Sequence, residues 1–316
     1  MRIVTWNVAS LNGLASAAER FGGVARLLDA LGADVLCVQE TKLSHERLTR
    51  RDDAVRALAV QPGCESFWSG SRAEGVRKGH AGVATFVREA WSPVAAAEGA
   101  GLLGGDGELE REGRALLTDH GAFVVLNVYV PNAGEAPARE RLPAKMRFLR
   151  ALQALVRAQR AVGKAVVVCG DLNVARSGRD VYAARAREPW MGYGAEELDF
   201  MQGFVDDGAA PSSMSSSSSS AAAAAEAGGA AEGSKAAGGG PGSAAGAAAA
   251  SPRLVDAWRA ANPDTAGAFS VWDWRTRARE TNQGARIDFI LPDREFFDRF
   301  FRGEVTAPAA TGSATG

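Results

Sequence analysis

Histidine, cysteine and tyrosine are scarce in this chain of 316 residues, at three each. Cys37, Cys64 and Cys169 are odd in number and lack CxxC spacing. That argues against a disulfide framework or a thiolate zinc site, and for a reducing compartment. Cys37 and Cys169 lie inside apolar runs and are read as buried, inert thiols. No apolar run approaches the roughly 20 residues that a membrane span needs, so a soluble protein is expected. Met1 leads directly into strand-like residues (Ile3, Val4, Trp6, Val8), so no signal peptide is expected. Charge of one sign is also missing. With 36 Lys+Arg against 37 Asp+Glu the net charge is −1, which excludes a polycation that coats nucleic acid through bulk charge but leaves room for a local basic groove.

What is present reads as alternating strands and helices. Val24, Leu27, Leu28 and Leu31 have helical spacing with Gly32 as a stop. Asp34 to Gln39 is a short apolar run, a buried strand that ends in Glu40-Thr41-Lys42. A polar helical stretch follows to about Leu58, then strands at Gly82 to Val87 and at Val124 to Val130, the latter stopping at Pro131. Met146, Leu149, Leu152 and Val156 mark one face of a helix that leads to the apolar strand Val166–Cys169 and to Gly170-Asp171-Leu172-Asn173. Ala285 to Leu291 is again strand-like. This suits an α/β domain whose site lies at one edge of its sheets. Residues 211–251 lose all pattern in runs of Ser, Ala and Gly with nothing large to bury. They are expected to be a disordered insertion in one domain, 1–210 with 252–301, followed by a low-complexity tail at 302–316.

Chemistry collects at the strand ends: Asn7, Glu40, Tyr129, Asn132, Asp171, Asn173 and Asp288. Singly, Asn and Asp after a strand are turn residues, and a lone Glu is a solvated charge. Together they offer the hard oxygens that Mg²⁺ prefers, and no His/Cys cluster competes for a softer metal. A tyrosine with several asparagines suits hydrogen bonding to phosphate oxygens.

Six blocks carry a resemblance. They are Trp6-Asn7-Val8, Ala33 through Gln39-Glu40-Thr41-Lys42, Gly79-His80-Ala81-Gly82-Val83-Ala84, Asn127-Val128-Tyr129-Val130-Pro131-Asn132, Gly170-Asp171-Leu172-Asn173 and Asn282 through Arg286-Ile287-Asp288-Phe289. In this order they resemble the exonuclease III class of abasic-site endonucleases, in the endonuclease/exonuclease/phosphatase superfamily. Glu112-Gly113-Arg114 and Trp272 are most similar to the eukaryotic AP endonuclease 2 branch. The resemblance implies a two-layer β-sandwich flanked by helices, with Mg²⁺ (Mn²⁺ as a substitute) at one end, DNA as partner and the nucleus as location. It implies Glu40 as the principal metal ligand with Asn7 beside it, Asp171 and Asn173 being on the metal side too. Asp171 would orient and deprotonate the attacking water, Asn173 would donate to the transition state, Tyr129 and Asn132 would face the phosphate, and Asp288 would hold a histidine. Arg72, Arg77 and Lys78 are candidates for backbone phosphates. Trp258, Trp272 and Trp274 are candidates to stack on bases or line the sugar pocket, and Arg286 is read on the substrate side.

Two departures follow from the same resemblance. The family's terminal Ser-Asp-His block is not found after Leu291, so the last strand is expected to be missing and the chain incomplete. Ala285 stands where many abasic endonucleases carry a tryptophan, which favours 3′-end trimming over abasic-site cleavage. The expected function is a Mg²⁺-dependent DNA repair nuclease acting at abasic sites and 3′ ends. A non-catalytic DNA-binding remnant and a phosphodiesterase with a lipid substrate are the alternatives.

Overall fold

The computed structural model describes residues 1–50, 53–73, 79–99, 101–134, 138–182, 193–206 and 253–300. All of them belong to one compact unit, Met1–Gly208 with Pro252–Gly316. The expected insertion at 211–251, the tail at 302–316, Arg77 and Lys78 lie outside the described residues.

The first half runs β1 (Ile3–Asn7), α1 (Leu11–Phe21), α2 (Val24–Leu31), β2 (Val35–Gln39), α3 (His45–Arg50), α4 (Asp53–Ala59), β3 (Cys64–Ser69), β4 (Val83–Arg88) and β5 (Ala95–Glu98). Then come α5 (Gly107–Arg111), β6 (Ala115–Asp119), β7 (Phe123–Tyr129), α6 (Leu142–Ala161), β8 (Ala165–Asp171), α7 (Ala195–Phe204) and β9 (Val205–Asp206). The last stretch holds β10 (Leu254–Val255), α8 (Ala257–Ala261), β11 (Val271–Trp272), β12 (Gly284–Ala285), β13 (Asp288–Pro292) and α9 (Arg294–Phe300). Two main sheets result, with orders β1-β2-β4-β3 and β13-β8-β7-β6-β5. In each, one parallel pair (β1 with β2, β7 with β8) sits among antiparallel neighbours.

Side-chain alternation explains why the sheets stack. On β2, Leu36 and Val38 pack outward against α1, α2 and α4, while Val35 and Cys37 face the other sheet. On β7, Val124, Leu126 and Val128 pack outward against α6 and α7, while Phe123 and Val125 face inward. Both strands are therefore buried on both faces, which is why they read as continuous apolar runs rather than as alternating ones. The layers are helices, sheet, sheet, helices: the two-layer sandwich expected from the sequence. All three cysteines are buried and free, with Cys37 and Cys169 touching across the sheets at 3.2 Å between sulfurs.

Helix α2 stops where expected, at Gly32 with φ 58°. Helix α1 was not legible, because its buried face is only Leu11, Leu14 and Ala18, and Gly13 dilutes its periodicity. It is started by Ser10, whose hydroxyl accepts from the amide of Gly13.

The chain on either side of residues 207–252 is tied together locally. Val205–Asp206 pairs in parallel with Leu254–Val255, and Arg253 donates to the carbonyl of Gln202 at 3.0 Å. Replacing residues 211–251 by a short Gly-Ser linker is therefore expected to shift Tm by no more than about 3 °C, equivalent to roughly 1 kcal/mol at this size. A larger fall in a calorimetric scan would show that the segment packs on the core.

Candidate active site

Strand pairing brings the polar strand ends together. Asn7 lies beside Gln39 in the parallel β1–β2 register, so Glu40 emerges next to it. Tyr129 lies beside Asp171 in the parallel β7–β8 register, and Asp288 lies beside Asp171 in the antiparallel β13–β8 register. Three ladders, in two sheets, thus aim three carboxylates and their amide donors at one end of the sandwich.

Asn7 is the hub. Its Nδ2 donates to Glu40 Oε1 at 2.9 Å and to Asp171 Oδ2 at 2.9 Å, one N–H for each. Glu40 Oε1 also accepts the Tyr129 hydroxyl at 2.8 Å, and Glu40 Oε2 lies 3.4 Å from the Lys42 ammonium. Asp171 Oδ1 accepts the main-chain amide of Asn173 at 2.8 Å. Asn173 donates its own Nδ2 to Val130 O at 2.9 Å and accepts Asn132 Nδ2 at 3.3 Å. Glu40 (φ 58°) and Asn173 (φ 51°) both stand in the left-handed region. That region suits asparagine but is costly for glutamate, a form of strain that clusters at functional sites.

Electrostatics separate these groups from ordinary surface acids. Burial pushes the Asp171 carboxyl up to about 6, and the Glu40 carboxylate adds to the rise against hydrogen bonds from Asn7 and Asn173. Asp288 is driven well above the usual carboxylate range by burial and then by Asp171, only partly opposed by Ser270. Its Oδ1 is buried without a hydrogen-bond partner among the described residues. Burial and the neighbouring carboxylates push the Tyr129 phenol up, so its hydroxyl stays a donor. The Arg114 guanidinium lies 4.7 Å from the centre of that ring, bonds Tyr129 O at 3.2 Å and is ion-paired with Glu112. Sequence reading used Glu112 and Arg114 only as a resemblance; their place behind Tyr129 is new.

This donor set fits a divalent cation. Three carboxylates converge with one partly exposed ammonium nearby, and a buried carboxylate oxygen lacks a partner. The described residues contain no group of three or more His, Cys, Asp and Glu placed to enclose an ion by themselves. Mg²⁺ characteristically takes one or two protein carboxylates and fills its shell with water and phosphate oxygens.

The other candidates are placed differently. Arg286, read on the substrate side, is buried: its guanidinium binds Asp256 at 3.0 and 2.6 Å and Asp180 at 2.8 Å. Its charge is thus spent inside the protein, which corrects that expectation. Arg72, a phosphate candidate, is held by Glu98 through two bonds of 2.8 and 2.5 Å. Trp272 is half-buried, donates to Asn282 Oδ1 at 3.1 Å and is covered by Arg279. Trp258 is stacked by Arg259 and Arg286. Trp274, at 80% exposure, is the most exposed of the three, with Arg275 over its ring.

Residues 4–313 match the sequence profile of the Endonuclease/Exonuclease/phosphatase family. Human DNA-(apurinic or apyrimidinic site) endonuclease 2 is 31% identical over 349 residues, which cover 99% of this chain and 58% of that protein. The chain thus spans somewhat more than half the length of the endonuclease 2 relatives it matches. An exodeoxyribonuclease of Bacillus subtilis is 24% identical over 307 residues, covering 97% of this chain and 94% of that protein. The catalytic domain of Xenopus laevis APE2 superposes with a TM-score of 0.64 at 27% identity, over 94% of this chain and 84% of that one. A 3′-5′ exonuclease from Neisseria meningitidis gives a TM-score of 0.62 at 20% identity, over 96% and 95% of the two chains, and bears on the fold alone.

The raised carboxyls set a pH dependence. A carboxyl whose folded pKa lies above its ordinary value of 3.8 contributes stability that is complete below that value and is lost as pH rises through about 6. In chelator, Tm is expected to fall by about 5 °C between roughly pH 5 and pH 7.5. The Asp171→Asn variant should show a flatter curve, and parallel curves for parent and variant would refute the assignment.

Proposed function

The chain belongs to the endonuclease/exonuclease/phosphatase family, and from that premise we propose that it is a divalent-metal-dependent DNA nuclease. Its reaction is phosphodiester hydrolysis at abasic sites and 3′ ends, in base excision repair in the nucleus. The observation that carries this reading is the convergence of Glu40, Asp171 and Asp288 with the donors Asn7, Tyr129, Asn132 and Asn173 at one end of the sandwich.

Glu40, with Asn7 beside it, would hold Mg²⁺ (Mn²⁺ as a substitute), which when bound supplies charge neutralisation at the phosphate. The remaining work belongs to the side chains. Asp171, oriented by Asn7 and by the main-chain amide of Asn173, would take the proton from an attacking water. Asn173 and Asn132, bonded to each other, would each turn their second carboxamide N–H to the non-bridging oxygens, where negative charge grows in the transition state. Tyr129, kept protonated, fixes Glu40 from the five-stranded sheet. Exposed Trp274, with Arg275 over its ring at 5.6 Å, supplies a stacking face and a positive charge for a DNA end.

Two variants test the reading. Glu40→Gln is isosteric and should fold normally, with Mg²⁺ affinity by calorimetry reduced at least about tenfold; an unchanged affinity removes Glu40 from the metal site. Asp171→Asn should bind a labelled duplex with a recessed 3′ end like the parent while turnover falls about 10²–10⁴-fold. A parent that binds this duplex without cutting it would favour the non-catalytic reading, and turnover of a phosphoinositide in place of DNA would favour the lipid one.

A further inference from the structure

Beneath the site a charged side chain interrupts the apolar stripe of α6. Lys145 is completely buried and shares that face with Phe148, Leu149, Leu152 and Val156. Its ammonium donates to the main-chain carbonyl of Asn173 at 2.5 Å and to Glu197 Oε1 at 2.5 Å. Glu197, also completely buried, uses Oε2 to accept the amide of Gly194 at 2.9 Å and the Arg139 guanidinium.

A buried ion pair is weak evidence for stability, because apolar residues of similar volume often serve a core as well or better. Glu197 accounts for the charge of Lys145 but not for its second partner. That partner is the carbonyl of the residue that stands at φ 51°, sends its amide to Asp171 and shares a hydrogen bond with Asn132. Pinning the carbonyl fixes the peptide plane after Asn173, and with it the angle at which the turn leaves β8.

We propose that Lys145 is a positioning residue for phosphodiester hydrolysis, an ammonium clamp that holds Asn173 in its left-handed conformation and so keeps the side chains of Asp171 and Asn173 in place for the substrate. The proposal rests on the nuclease reading above. A misplacement of about 1 Å at such a turn commonly costs on the order of 10²-fold in rate.

The test pairs Lys145→Met, which keeps the side-chain length and loses the donor while Glu197 stays paired with Arg139, with Glu197→Gln, which keeps an acceptor for Gly194. Turnover is measured on a labelled duplex with a recessed 3′ end in Mg²⁺. Amide hydrogen exchange across residues 172–174 is measured separately without metal. The double variant should keep its Tm and a KM within about twofold of the parent, lose about 10²-fold in kcat, and exchange faster at residues 172–174. Parental kcat with parental protection would mean that Lys145 merely fills the core, and would overturn the proposal. Should the double variant not fold, Lys145→Met alone carries the test: Glu197 keeps its pairing with Arg139, a loss of kcat with faster exchange at residues 172–174 is expected, and parental kcat with parental protection would overturn the clamp. A parent with no turnover at all refutes the nuclease reading instead, while the exchange rates still decide whether Lys145 holds the turn.

Discussion

A buried carboxamide cluster between the sheets sets the register of what is built at their ends. Gln39 Nε2 donates to Asn127 Oδ1 at 2.8 Å, and Asn127 Nδ2 continues to Ala84 O at 2.8 Å and to Thr85 Oγ1 at 3.2 Å. Both carboxamides are completely buried, where a lost partner costs about 1–3 kcal/mol. Sliding one sheet over the other by a residue would strand several such groups at once. Glu40 is one residue past Gln39, and Tyr129 is two past Asn127. Locking the first pair therefore delivers the Tyr129 hydroxyl to Glu40 at 2.8 Å. The apolar layer of Val35, Cys37, Phe123 and Val125 supplies the attraction between the sheets, and the carboxamides supply the register.

Local backbone geometry then turns register into a site. Gly170 pairs with Val128 so closely that a Cβ would lie 1.9 Å from the Val128 carbonyl oxygen, and its φ of 139° is one that side chains rarely adopt. Glycine here lets β8 approach β7 just before Asp171, which puts Asp171 within reach of Asn7 on the opposite sheet. Gly82 does the same for the other sheet, where a Cβ would lie 2.4 Å from Thr41 Oγ1, in the turn that carries Glu40 and Lys42. The glycines beside the acids are therefore requirements of close approach.

These relations explain which features were legible in the sequence. β2, β7 and β8 are buried on both faces, and their apolar runs announce them; the polar residue that ends each run announced the candidate site. Strand order was not legible from periodicity, because pairing partners lie far apart in sequence, as with Asp171 and Asp288. Arg286 was misread because a basic residue inside a site motif looks like a substrate contact. Its partners Asp180 and Asp256 come from distant segments with no pattern linking them. Lys145 left a weak signal that could have been used: a charge at the i−4 position from Leu149, inside an otherwise apolar helical stripe. Arg114 left none, since its role depends on the ring of a residue on the next strand.

The two buried charge clusters also separate scaffold from chemistry. In one, Asp180 and Asp256 meet Arg259 and Arg286 with Arg176 beside them, and both carboxylates are paired. Such a cluster is closed, and it holds Asp180 well into its ionised range through Arg286 against the cost of burial. It joins the segment after β8, the start of α8 and the entry to β13, so it braces the strand that carries Asp288 without offering anything to a ligand. In the other, Glu40, Asp171 and Asp288 crowd together with the ammonium of Lys42 at the rim, and two of the three carboxyls are pushed toward protonation. An unbalanced cluster of this kind is a cost that a stable fold alone does not require, and it is relieved by a bound cation or a proton. The strand ends of the sandwich thus differ from the closed cluster in carrying carboxylates that the surrounding cations do not balance.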